Sequence, residues 1–329
     1  MAPAYALTSI QHLLKTVIFF RLGQLSDPAM KSRALVAVLL LTFAAATSAS
    51  AQETATMFEP GTISDGGVFG LTLSPDGNHG LWVKSGGQRD KLVIMESFKK
   101  NGKWQPQTVV SFSGNPAWKD IDPAFSPDGK QVIFQSTRPV PGKPDRKGFD
   151  IWSVARTPSG WGTPVHLGNV INTDESESSA SMASNGSIYF HKAIGGNSDL
   201  WVSRLLKGEY QAPENVGAPI NTTTERESNP YVAPDESYLI FFGTTGTPPD
   251  APDLFISVKG KGGWGAPKRI EGAINSSASE FTPWMHGGRL YFSRQVRRKG
   301  TMTEDIYWHP FTPQADNLSL KSQPRIFLK

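Results

Sequence analysis

Short apolar runs recur along the chain, each introduced by turn-forming residues. Leu81-Trp82-Val83 follows Ser74-Pro75-Asp76-Gly77, and Val132-Ile133-Phe134 follows Ser126-Pro127-Asp128-Gly129. Weaker copies set Ile188-Tyr189-Phe190 after Ser184-Asn185-Gly186, Leu239-Ile240-Phe241 after Ala233-Pro234-Asp235-Glu236, and Leu290-Tyr291-Phe292 after His286-Gly287-Gly288. Proline pre-sets φ for a turn, while Asp or Asn with Gly supplies a side-chain hydrogen bond and a positive φ. This chemistry predicts a hairpin before each apolar strand.

Other markers keep step with these. An acid, an aliphatic residue and an aromatic recur as Asp150-Ile151-Trp152, Asp199-Leu200-Trp201, Asp253-Leu254-Phe255 and Asp305-Ile306-Tyr307, with Leu92-Val93-Ile94 in the first copy's place. Gly, a nearby aromatic and then Pro recur over 102–106, 160–164, 208–213 and 262–267. Ile-Asn before a hydroxyl residue recurs at Ile171-Asn172-Thr173, Ile220-Asn221-Thr222 and Ile274-Asn275-Ser276. The period of about 50–57 residues suits the four-stranded blade of a β-propeller, and a unit of this size buries its apolar face only by stacking on its neighbours. Five units are countable, so the reading is an all-β propeller of five blades. Six remain open if 316–329 and 52–67 jointly build another. The segment from Phe58 to Ser64 resembles the end of a repeat (compare 216–222), which predicts that it supplies the outer strand of the last blade and closes the ring.

The N-terminal region changes the charge argument. Met30-Lys31-Ser32-Arg33, the apolar run 34–46 and Ala49-Ser50-Ala51 read as a secretory signal with cleavage before Gln52. Met30 opens a complete signal by itself; the other reading is one long signal with an extended basic region, and both remove 1–51. Lys15, Arg21, Lys31 and Arg33 leave with it against Asp27 alone, so the formal charge falls from +4 to +1 and nucleic-acid binding loses its support. Without cysteine there is no disulfide or thiolate metal site. The expectation is a periplasmic or secreted single domain, 52–329, monomeric and without a membrane helix.

The succession of Asp-aromatic, Gly-Trp-Pro, Ile-Asn-Thr, Glu-Ser-x-Pro and Ser-Pro-Asp-Gly resembles the WD-repeat-like, Pro-Asp type repeats of TolB-like periplasmic propellers, over 58–311. The resemblance implies a propeller in the cell envelope and does not imply a catalyst, since the family includes translocation accessories and peptidase-associated propellers. TolB itself carries a further α/β domain, for which 52–329 leaves no room.

Candidate chemistry lies on the face that carries the segments before the inner strands and the connections between second and third strands. Asp120, Glu177, Glu227 and Glu280 stand three residues before a Pro or its equivalent, and Val68 takes the place in the first blade. As a ring about the funnel they suit a polyol, a cation or a glycosidase-like pair. The alternative is that each accepts backbone N–H bonds from a neighbouring blade, and recurrence in phase favours such a shared structural task. Three irregular connections, 137–148, 244–252 and 295–304, carry Arg138, Lys143, Arg146, Lys147, Arg297, Arg298 and Lys299, a rim suited to an acidic peptide or anionic glycan, or simply solvated charge. Arg138 also matches a recurrent arginine of TolB-like repeats, which the resemblance implies could bridge blades. His191, at the end of a second strand, is the one histidine placed near this face; no two histidines have zinc-ligand spacing. Trp104, Trp161, Trp201 and Trp264 recur in phase and read as packing residues.

The leading expectation is therefore an exported, non-catalytic propeller that binds a protein, peptide or glycan on this face, with no cofactor. The alternatives are a glycosidase- or lyase-type enzyme using the carboxylates, or a scaffold stabilised by a cation such as Ca²⁺.

Overall fold

A computed structural model describes residues 54–313 apart from 87–88, 144, 147, 247–250 and 299. These residues form five antiparallel blades and no helix. The inner strands are Val68–Leu73, Asp120–Phe125, Glu177–Met182, Glu227–Val232 and Ser279–His286; the second strands are His79–Lys84, Gln131–Ser136, Ile188–Ile194, Tyr238–Gly243 and Arg289–Arg298. Third strands follow at Val93–Lys100, Asp150–Thr157, Asn197–Ser203, Asp253–Gly260 and Thr301–Pro310. The short outer strands are Thr108–Val109, Val165–His166, Glu214–Asn215 and Lys268–Arg269. The fifth comes from the other end of the chain: Thr56–Met57 pairs with the last third strand. The blade count is five, as the repeats suggested; 316–329 lies outside the described residues.

Each second strand is apolar on both faces because it is sandwiched between two neighbouring blades. Val132 and Phe134 pack against Leu81 and Ile94 of the first blade, while Ile133 packs against Ile188 and Phe190 of the third. All of these side chains are fully buried. The ring closes in the same way, with Tyr291 and Ile306 against Val68, Trp82 and Met95. In this closing contact Phe58 meets Trp104 and Tyr291 edge-on, at 5.7 and 5.5 Å between centroids.

The sequence markers have local tasks. In Ser74-Pro75-Asp76-Gly77, the Ser74 hydroxyl donates to Asp76 and accepts from the His79 N–H, and Gly77 takes φ +68°. In Ile-Asn-Thr, the asparagine amide brackets one residue of the third strand. Asn172 accepts from Ile151 N–H at 2.7 Å and donates to its carbonyl at 3.1 Å; Asn221 treats Leu200 so, and Asn275 treats Leu254 so. The preceding isoleucines, Ile171, Ile220 and Ile274, are buried. Trp201 departs from the expected phase: it lies on a third strand like Trp152, and Tyr210 stands on the hairpin strand where Trp104, Trp161 and Trp264 stand in other blades.

Candidate functional site: the axial funnel

The four acids at the heads of the inner strands are closed to solvent, none more than 2% exposed. Each is held by the connector that leads into its own strand. Thr173 donates to Glu177 through both N–H and hydroxyl, Thr222 does the same to Glu227, and Ser276 to Glu280. Asp120 accepts from the Ser113 and Ser136 hydroxyls. For the three glutamates the donors are therefore the Thr or Ser of the Ile-Asn marker, together with that residue's backbone N–H, rather than N–H groups of an adjacent sheet.

Arginines complete these knots. Arg138 reaches Asp120 Oδ1 at 2.8 Å and the Phe112 carbonyl at 3.1 Å, which ties the second blade to the connector that precedes it. Arg294 performs the same task on Glu280 and the carbonyls of Ala273 and Ile274. Arg146 turns inward to Asp150, Glu177 and the Glu175 carbonyl. Two of the basic residues expected on a rim, Arg138 and Arg146, are thus buried in ion pairs. Burial raises Glu177 and Glu280 above the ordinary carboxylate range, and raises Glu227, whose neighbours Asp199 and Glu225 add like charge, to about 7.

Two residues beyond each head lies a position that the repeats did not mark. Every inner strand bulges there, and the residue takes a left-handed conformation: Gly70, Asp122, Ser179, Asn229 and Thr282, with φ of 68°, 45°, 52°, 48° and 46°. These five residues line one axial cavity of 40 Å³ with Pro123, Pro230, Pro283 and Trp284. Two runs of hydrogen bonds tie them to one another. Asn229 donates to Ser179, Ser179 donates to Asp122 Oδ2, and Thr282 bonds Ser293, which accepts from Gly70 N–H. Trp284 packs against residues of several blades and lies between this cavity and a lower one of 170 Å³ on the turn side. Burial raises the Asp122 carboxyl above its ordinary range.

Above the ring, on the face expected from the sequence, a cleft of 560 Å³ opens between Arg89, Arg226, Asn229, Phe242, Phe281, Gln295 and Arg297. Arg89 spans the junction of the first and last blades: its guanidinium lies over Phe69 and Phe281 and pairs with buried Glu304 at 2.7 Å. The segment 295–304, expected as an irregular loop, pairs as a ribbon over 295–298 and 301–304. The last two strands continue paired to Arg298 opposite Thr301, beyond the Ser279–Gln295 pair where the inner strand begins. That extension carries exposed Arg297 to the cleft.

Among the described residues singled out from sequence, Arg297 alone lines this cleft. His191 is half-buried on the second strand of the third blade, its Nδ1 2.9 Å from the Ser178 hydroxyl, and burial beside Arg226 lowers it to about 4. Lys147 and the Arg298 side chain lie outside the described residues. Asp122, Ser179, Asn229, Arg89 and Glu304 were missed. A trace of the ring was present: Asp122, Asn229 and Thr282 each stand immediately before a proline.

No protein-family model matches the chain, and no curated protein matches it in sequence. Solved structures share its fold. A thermostable family-43 glycoside hydrolase aligns over 76% of this chain and 92% of its own at 12% identity, with a TM-score of 0.53. An α-L-arabinofuranosidase from Lactobacillus brevis aligns over 77% and 92% at 9% identity, with a TM-score of 0.50. A puromycin-hydrolysing peptidase of Mycobacterium tuberculosis aligns over 70% of this chain at 13% identity and a TM-score of 0.41, and the chain spans about a third (34%) of that protein's length. At these identities the likeness is one of fold.

Proposed function

We propose that this chain is an exported, non-catalytic propeller of TolB-like type that binds a glycan, peptide or protein segment in the cleft over its funnel. One observation carries the reading. The open cleft is built from arginines, phenylalanines and amides, whereas the carboxylates a hydrolase would use are enclosed in knots between blades. Apolar walls with a few placed polar groups make a binding site, and exposed Arg297 sets a cation at its edge. The signal-like segment 30–51 supports export, and among the described residues no helix is long and apolar enough to cross a membrane.

The test is a glycan and peptide array probed with the full chain and with Arg297→Ala. The reading predicts a hit that Arg297→Ala weakens without lowering Tm. Hits that ignore Arg297 would move the binding surface elsewhere.

Glu227 favours a second reading, an enzyme of the glycosidase or lyase type. A carboxyl held near 7 is poised for general acid–base work. Turnover lost in Glu227→Gln with unchanged melting would support the enzyme; lost melting alone supports the structural knot.

A further inference from the structure

On the turn side, where the first and last blades meet, a pocket of 370 Å³ lies among the turns Asp76-Gly77-Asn78 and His286-Gly287 and the closing segment Phe58-Glu59. Phe58, Trp104, Tyr291 and Trp308 give it aromatic walls, and its volume suits a small ligand.

Several of its charged groups lack partners. Lys99 lies over Trp104 at 5.0 Å, as Lys259 lies over Trp264 at 5.1 Å in the fourth blade. Lys259 has Glu236 at 3.7 Å, but the first blade has Gly77 at that place in the turn, and Lys99 pairs with no acid among the described residues. A Cβ at Gly77 would stand 2.6 Å from His286 Nε2, so no acid fits there. Arg289 lies over Trp308 at 4.0 Å and makes no hydrogen bond or ion pair among the described residues. This cation and its ring do not recur. The other blades have Gly80, Gln131, Ser187 and Tyr238 in place of Arg289, and Met95, Ser153, Val202 and Ile256 in place of Trp308. Glu59 is exposed, takes a left-handed φ of 45° and carries a carboxylate with no partner among the described residues. Asp76 differs, because Ser74 and Asn78 donate to it within its own turn. Burial, and then Lys99, lower His286 below its ordinary range, so it adds no further charge near neutral pH.

These groups define an occupant. Two cations require an acid group, and a guanidinium restrained on an indole offers its N–H fork to a carboxylate. Glu59 and Asn78 require hydroxyl or amine donors, and the aromatic walls an apolar ring face. A uronic acid brings a carboxylate, ring hydroxyls and a C–H face together. An inorganic anion leaves Glu59 and the rings unused, and a neutral sugar leaves both cations without a counter-ion.

We propose that this seam pocket binds an acidic saccharide, with its carboxylate on Arg289 and Lys99 and its hydroxyls on Glu59 and Asn78. The site lies on the opposite face from the cleft over the funnel and is independent of what that cleft binds.

Calorimetry of the full chain against glucuronate and galacturonate oligosaccharides tests it, with glucose and galactose oligosaccharides as the contrast. A uronate oligosaccharide should bind the parent, and its neutral counterpart should bind far more weakly. Arg289→Gln should weaken uronate binding about tenfold or more, the loss of one charge-assisted bond, without lowering Tm, because Arg289 is exposed. Lys99→Gln should act alike, whereas Lys130→Gln, which removes an exposed cation from another turn, should change nothing. Uronate binding that survives both Arg289→Gln and Lys99→Gln overturns the site. Binding kept in Arg289→Gln but lost in Arg297→Ala places the acid in the opposite cleft, which overturns this inference and supports the function proposed above. Equal binding of neutral and acidic saccharides, or binding of free amino acids in their place, also overturns it. If no uronate binds, the inference falls, and the array on the cleft still decides the broader function.

Discussion

Thr56 lies opposite Trp308, so the first described strand is the outer edge of the last blade. The Phe58 N–H then donates to the Ile306 carbonyl at 2.8 Å, as Val216 does to Leu200 and Ile270 to Leu254 in blades of continuous chain. The closure repeats the ordinary blade edge in a segment more than 240 residues away in sequence.

Phe58→Ala should therefore act as a core mutation. Its ring is 6% exposed and shared between the first and last blades. A loss of about 3–5 kcal/mol is expected, read as a fall in denaturation midpoint. An unchanged midpoint would mean that the ring closes without this strand.

Asn172→Ala tests the bracket on the third strand. The change leaves the buried Ile151 N–H without its partner and removes one acceptor bond at the Ile151 carbonyl, at about 1–3 kcal/mol for an unmade buried bond. Asn221→Ala and Asn275→Ala should give similar losses, because they serve the same geometry. Widely differing values would argue against a common task.

Arg138→Met should cost about 3–5 kcal/mol, since it leaves Asp120, 1% exposed, without its cation. The double variant Asp120→Asn/Arg138→Met should recover part of that loss, as seen by chemical denaturation. Additive losses would show that the two side chains do not act as a pair.

Glu227 and His191 impose opposite pH slopes. Glu227 rises from 4.5 to about 7 on folding, so the native state holds a proton that the unfolded chain has lost, and stability falls as pH rises between those values. His191 drops from 6.5 to about 4, so its stability is present above 6.5 and is lost as pH falls through that window. Relative to the parent, Glu227→Gln should gain stability progressively from pH 4.5 to 7, on the order of 1–3 kcal/mol, and His191→Gln should gain it from 6.5 towards 4. Melting curves across pH 4–8 check both; parallel curves for parent and variant would refute the assigned shifts.

The blade and its connectors were legible because their causes are local. A Ser-Pro-Asp-Gly turn and an Ile-Asn marker form within short stretches, so the blades that use them repeat the same letters, whereas the bonds from that marker's Thr or Ser to the glutamate four or five residues on were not read from the sequence. That the four acids lie closed to solvent was not legible, because depth along a strand is invisible in a linear pattern. Arg138 and Arg146 belong to loops by sequence and turn inward because buried carboxylates await them.

The chain's sequence alone determined a closed ring of five similar sheets and the turns that repeat within them. Only the tertiary structure decided what that ring encloses. Gly70, Asp122, Ser179, Asn229 and Thr282 share a backbone conformation and no side-chain type, because each faces the axis rather than a repeated neighbour. A position that meets its partners only across the closed ring is free to differ from blade to blade, and there repetition no longer reports the site.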